Sequence, residues 1–272
     1  MTESNDEQYL NKQLHKSKKK ILDILGWNSS DFKSDDDNVI HNVWLKELKD
    51  KRSKEFDLSK IEPNQVLPES ILNGLVNYPH INFIEDGIMW QTQREFEIGY
   101  DLQSERITIP IRDKNGCLIG IKGRATKDED SKNFKYLSLY NFHKSKNWFN
   151  LYRSLPSILE NNEVICFESE KACLKSYQMG VYNTVSQMGS SITKIQAEML
   201  KRISPNLKII LGYDQDIDIE SVKQMAKVFG SYDNLYGIID TKGLLDEKMS
   251  PVDKDFQTFK TLYSHHCFKI PL

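Results

Sequence analysis

The chain has 272 residues, 39% hydrophobic and 28% charged, with a formal net charge of −2 at pH 7. That length suits one large domain or two small ones, and the balance excludes a strongly basic tail, so any nucleic-acid site must come from local segregation of charge. The polar, lysine-rich N-terminus is not a secretory signal and no apolar run approaches the ~20 residues of a membrane span, which points to a soluble cytoplasmic protein with no membrane partner.

Residues 1 to about 60 form a charged, helical N-terminal segment. "YLNKQLHKSKKKILDILGW" places Leu10, Leu14, Ile21, Leu22 and Leu25 roughly on one helical face, and an acidic run at 35–37 breaks it. "VWLKELKDKRSKEF" reads as a second charged helix. The lysines at 16 and 18–20 suit either a solvated helix face or a phosphate backbone.

Residues 61 to about 160 change character. "EPNQVLPESILNGLVNYP" is a proline-bounded helical stretch, and "RITIPIRDKNGCLIGIKGRA" alternates apolar and polar residues around an Asn-Gly turn, the pattern of a hairpin. Basic residues surround it: Arg106, Arg112, Lys114, Lys122 and Arg124. Lys135, Lys144 and Lys146 follow, interleaved with Tyr136, Tyr140, Phe142, His143 and Trp148. Basic and aromatic residues together suit single-stranded nucleic acid, and aromatics at such spacing also suit a core.

From 161 to 272 the period changes again. "EVICFE", "VYNTVSQM", "LKIILGYD" and "NLYGIID" read as strands, separated by the helices "SEKACLKSYQMG", "SITKIQAEMLKRI" and "DIESVKQMAKVFG", two of which end in Gly180 and Gly230. A β-α-β-α-β-α-β order predicts a parallel sheet flanked by helices. The fold class is therefore α/β, α+β overall: a parallel sheet preceded by a mixed basic subdomain and the N-terminal helical segment. Cys117, Cys166, Cys173 and Cys267 contain no CxxC pair, so reduced thiols are expected and no zinc site.

Two strands end in acids. "VICFE" ends at Glu168, and "IILGYDQDID" carries Asp214, Asp216 and Asp218 at every second position. Strand-end acids in an open α/β sheet line the ligand crevice, where like charges need water or a hard cation to offset them. Asp218 suits an N-cap for the following helix. If their strands are neighbours, Glu168, Asp214 and Asp216 converge in a volume suited to Mg²⁺.

"FESEKACLKSYQMGVYNTVSQMGSSIT" followed by "GYDQDID" resembles a Toprim domain, with its Glu after the first strand and Asp-x-Asp after the third. "QREFEIGYDLQSERITIPIRDKNGCLIGIKGRA" followed by "FKYLSLYNFHKSKNWFNLY" is similar to the subdomain preceding Toprim in DnaG-type bacterial and phage primases. The resemblance covers roughly residues 60–265. It implies a basic subdomain of the RNA polymerase core over 61–160, and a Toprim domain over 161–272.

It further implies a catalytic role for Glu168 and Mg²⁺ binding by Asp214 and Asp216, with Mn²⁺ able to substitute. A third acidic position falls in "LLDEKMSPVDKDF", at Asp253, with Asp246 and Asp240 as weaker choices. Arg124, Lys135 and Lys144 fall on the family's template- and nucleotide-binding positions, with Arg106 a weaker candidate that could instead support the hairpin. The function implied is primer synthesis on single-stranded DNA from NTPs, in a bacterial cell or phage-infected host. A replicative helicase, or a zinc-module protein acting in trans, is a further partner to expect.

The sequence departs from the family in three places. Ser169 follows Glu168 where Gly is usual, Gln215 separates the two aspartates, and Ala172 stands where an acid is frequent. Ala172 removes a potential metal ligand, so a catalytically weakened single-stranded-DNA-binding accessory protein, or a protein that borrows the scaffold to bind a replisome or host factor, is an alternative. A Toprim nuclease using the same acids is another.

Overall fold

The computed structural model describes residues 58–127 and 134–271. They lie in the second of two compact units, Asp57–Leu272, the first being Met1–Phe56. Both N-terminal helices read from the sequence, and the lysines at 16 and 18–20, fall outside the described residues.

The proline-bounded stretch is less helical than its sequence suggests. It forms a 3-10 turn at Glu69–Gly74 with no buried residue, because Pro63, Pro68 and Gly74 leave no room for a helix with a core-facing stripe. Two short helices follow, α1 (Ile81–Glu85) and α2 (Trp90–Glu95).

An antiparallel sheet comes next, with β1 (Gly99–Asp101), β2 (Arg106–Arg112), β3 (Leu118–Ala125) and β4 (Tyr136–Tyr140) in chain order. The β2–β3 connection is tighter in chemistry than an Asn-Gly pair alone would make it. Asp113 Oδ1 accepts from the N–H groups of Asn115 and Cys117, both at 2.9 Å, and Gly116 alone takes a positive φ of 86°. Alternation along β2 predicts one wet face, yet it is buried from Arg106 to Ile111. β2 is a central strand, and its isoleucines share a core with Phe83 and Phe96 beside it and Phe149 and Phe167 further along the chain.

Arg112 closes the end of β2. Its guanidinium donates to Glu97 at 2.6 and 2.8 Å, to Glu69 at 2.7 and 2.9 Å, and to Gly116 O at 2.9 Å. Those carboxylates hold its pKa above the ordinary arginine value. The basic residue thus staples the hairpin to the segment before it. Arg112→Ala is expected to cost about 2–4 kcal/mol by chemical denaturation, since it strips the partner from half-buried Glu97, and to leave nucleic-acid affinity unchanged.

Helix α3 (Leu151–Asn161), which the sequence reading passed over, leads into the second sheet. Its strands are β5 (Glu163–Phe167), β6 (Thr184–Ser186), β7 (Lys208–Gly212), β8 (Leu235–Ile238) and β9 (Cys267–Lys269), in the spatial order β6-β5-β7-β8-β9. The first four are parallel, as the β-α alternation predicts, and are linked by α4 (Glu170–Gln178), α5 (Lys194–Lys201) and α6 (Ile219–Ala226). The last helix, α7 (Phe256–His265), precedes β9, which adds antiparallel to β8.

The caps follow the sequence. Asp218 accepts from Ser221 N at 2.7 Å, Thr193 and Gln196 form a capping box, and Gly180 ends α4 at φ 81°. Both faces of the parallel sheet are covered, which is why its strands read as continuous apolar runs. Ile165, Phe167 and Ile210 enter the core shared with the antiparallel sheet, whereas Val164, Cys166, Ile209 and Leu211 pack with Trp148 in a second core. The four cysteines are free, with Cys166 and Cys173 buried. Among the described residues no helix is long and apolar enough to cross a membrane.

Candidate active site

β5 and β7 are adjacent and parallel, Phe167 pairing with Gly212, so both strands end at the same rim of the sheet. Glu168 leaves β5 there, and Asp214 and Asp216 leave β7 two and four residues past its end. This is the point where strand order reverses, the crevice predicted for the acids. The 214–217 turn is closed by Ile217 N–H donating to Asp214 O at 3.1 Å. Gln215 N–H donates to Met249 O at 3.0 Å, which ties this turn to the loop that carries Asp253.

The carboxylates repel one another. Burial, then the charges of Glu168, Asp253 and Asp216, push Asp214 up to about 6, against a partial pull from Lys135. Burial and Asp216 raise Glu168 as well. An all-oxygen cluster with destabilised charges fits Mg²⁺, which takes one or two carboxylates and leaves its other positions to water and phosphate. Among the described residues no three or more His, Cys, Asp or Glu side chains group closely enough to hold a metal ion by themselves, so water and phosphate would have to supply the remaining positions.

Asp253 is the least free of the four. Its Oδ1 accepts from Lys175 Nζ at 2.7 Å and its Oδ2 from Ser250 N–H at 2.7 Å. The two weaker choices are engaged elsewhere: Asp240 accepts from the backbone of its own loop, at Lys242 and Leu245, and Asp246 pairs with Lys254 at 3.2 Å. Ala172 is buried in the core, on the first turn of α4.

The basic candidates separate into three groups. Lys135 is exposed and near enough to Asp214 to lower its pKa. Lys144 is exposed over the turn that follows β6, where a Cβ on Gly189 would lie 3.1 Å from its ammonium; Thr193 and Gln196 at the start of α5 hold its segment by hydrogen bonds to Ser145 O and Asn147 O. Arg124 is half-buried, stacked on Phe83 and bonded to Asp86 at 2.5 Å.

Arg106 is a correction. It is buried, 7% exposed, and donates to Phe134 O at 2.9 Å, so it supports the β2–β4 region and offers nothing to a template. Lys122 also turns inward, onto the buried carboxylate of Glu170 and the ring of Tyr136. Sequence reasoning missed Glu170, Lys171, Lys175 and Asp86, because each acts through a partner far away in the chain.

Residues 32–155 match the family model of the DNA primase catalytic core, N-terminal domain. YorJ, a SPbeta prophage-derived uncharacterized protein of Bacillus subtilis, is 31% identical over 247 residues, which take in 80% of this chain and 64% of that protein. The DNA primase of Clostridium acetobutylicum is 32% identical over 142 residues, 51% of this chain and 22% of the primase. Among solved structures, the zinc binding and RNA polymerase domains of the Aquifex aeolicus primase superpose with a TM-score of 0.60 at 21% identity, covering 79% of this chain and 64% of that one.

A mixed α/β fold with acids at the switch point of its parallel sheet and a basic antiparallel sheet before it is thus the catalytic-core fold of a primase. The chain shares that fold and, over residues 32–155, resembles the N-terminal domain of the DNA primase catalytic core. It spans under two thirds of the Bacillus relative's length and about a fifth of the Clostridium primase's.

Proposed function

We propose that this chain is a primase-type nucleotidyltransferase core that joins ribonucleotides on a single-stranded DNA template, through a Toprim-like acidic site. The observation that carries the reading is Asp214, a carboxylate raised to about 6 by burial and by Glu168, Asp253 and Asp216, with Lys135 as its cationic neighbour. A fold does not need such mutual repulsion, and a site that recruits a divalent cation does.

In this reading Asp214 and Asp216 would hold Mg²⁺ or Mn²⁺, with Asp253, now paired with Lys175, as a third candidate ligand. The bound ion supplies neutralisation of the charge that builds on the phosphates. Glu168, its pKa raised by burial and by Asp216, accepts the proton of the primer 3′-hydroxyl. The 3′-oxygen forms its bond to the α-phosphorus as the bond to pyrophosphate breaks. Lys135 and Lys144, both exposed, hold nucleotide triphosphate and template phosphates against the rim.

The test is primer synthesis on a single-stranded template with labelled NTPs and Mg²⁺ or Mn²⁺. Short oligoribonucleotides are the expected product. Cleavage of the template without NTPs would make the same acids a nuclease site. Binding of template with no product would favour the accessory reading, which has its own support: Asp253 is committed to Lys175, and Ala172 lies in the core where the family often carries an acid.

A further inference from the structure

We infer that Lys175 is the resident cation of the acidic rim: its ammonium occupies Asp253 and holds the rim to one divalent ion, bound through Asp214 and Asp216. This rests on the primase reading for the identity of that ion, but not for the geometry of the pair.

The pair joins residues 78 apart in the chain, Lys175 Nζ donating to Asp253 Oδ1 at 2.7 Å. Only 11% of the lysine side chain and 23% of the aspartate are exposed, so water and salt screen the pair weakly. The second carboxylate oxygen, Oδ2, accepts from Ser250 N–H at 2.7 Å, and Asp253 N–H donates back to Ser250 O at 3.0 Å. Pro251 and Val252, which complete this turn, are buried. Asp253 therefore keeps its bearing toward Lys175, with both oxygens engaged.

The lysine is held as firmly. Its stem passes Gly87, where an added Cβ would lie 3.9 Å from Lys175 Cε. Helix α4 is fastened to its neighbours around that stem. Ser176 Oγ shares a hydrogen bond with Thr184 Oγ1 at 2.8 Å, and Gln178 donates to Gly87 O at 2.8 Å and accepts from Met89 N–H at 3.0 Å. Ala172 and Lys175, three residues apart, share a face of α4. An acid at 172 would call for more cation; this face is apolar there and supplies a cation of its own one turn later.

A divalent ion bound to Asp253 as well would lie within about 5 Å of the ammonium and be repelled by it. That leaves Asp214 and Asp216 for a single ion, whose other positions water and phosphate fill. Unlike a metal ion, the ammonium does not dissociate and carries one charge.

The experiment is Mn²⁺ titration of the metal-free full chain by calorimetry, with free Mn²⁺ counted by electron paramagnetic resonance and melting measured in parallel. Lys175→Met keeps the stem and removes the charge, and it is expected to bind one Mn²⁺ more than wild type. Lys175→Met/Asp253→Asn should return the count to that of wild type. Lys175→Arg, which keeps the charge, should not raise it. Comparing counts cancels ions held elsewhere on the surface.

A folded Lys175→Met protein with the wild-type count overturns the proposal, because the pair would then be structural: its loss would lower the melting point and leave metal binding alone. A gained ion that survives Asp253→Asn overturns it too. If Lys175→Met does not fold, Lys175→Gln decides by the same count, since its amide still offers a donor from the same helix position. A wild-type count that Asp214→Asn leaves unchanged would instead remove the Mg²⁺ reading, and this inference with it.

Discussion

Asp214→Asn is expected to abolish primer synthesis and at the same time to stabilise the protein in the absence of metal. The two effects have one cause. Asp214 sits at about 6, well above the ordinary 3.8 of an aspartate, because burial and three neighbouring acids disfavour its charge. Between those two values the folded protein binds more protons than the unfolded chain, so stability falls as pH rises through that window and the loss is complete above pH ~6.

Neutral asparagine removes that loss, by about 1–2 kcal/mol at pH 7 once its partial exposure is allowed for. At about 2–4 °C per kcal/mol, calorimetry without metal should show a melting point a few degrees higher. Activity should fall by about a hundredfold or more, the scale of several kcal/mol of lost charge stabilisation. Magnesium should raise the melting point of wild type and leave the variant unmoved. Wild-type activity should also decline as pH drops through about 6, because a protonated carboxyl is a poor ligand. Asp218→Asn provides the control, since Asp218 is an exposed helix cap that asparagine can replace. Undiminished synthesis by Asp214→Asn, or a lower melting point without metal, would sink the assignment.

The rim was legible in the sequence because its signals are local. An apolar run ending in an acid announces a strand and what leaves it, and a β-α repeat allows little besides a parallel sheet. Gly180 and Asp218 mark helix ends by backbone chemistry that depends on a few neighbours. β9 was not legible: "CFK" carries no periodicity, and its place is set by the edge that β8 leaves open. Nor could the basic residues of the antiparallel sheet be sorted. Lys122, Arg124 and Lys135 look alike along the chain. Lys122 meets an acid 48 residues on, Arg124 one 38 residues back, and Lys135 faces solvent near Asp214. Only the fold decides whether a lysine has a partner, and composition records the charge either way.

Lys122 gives the sharpest stability test of that sorting. Its ammonium pairs with Glu170, whose side chain is 2% exposed, and lies 4.5 Å from the Tyr136 ring centroid. Glu170 opens α4, where the helix N-terminus favours a carboxylate, but that is worth no more than about 1 kcal/mol. Lys122→Met would leave a carboxylate buried between the two sheets with its cation gone, at a cost of about 3–5 kcal/mol. Adding Glu170→Leu should recover most of that cost, because two apolar side chains of similar size can fill the space of a buried ion pair. The double-mutant cycle, read by denaturant unfolding, should therefore show strong coupling between the two positions. If Lys122 instead served the template, Lys122→Met would leave stability intact and make the salt dependence of DNA binding shallower. The pairing with Glu170 predicts the reverse: a large loss of stability, and at low temperature, where the variant is still folded, a salt slope equal to that of wild type.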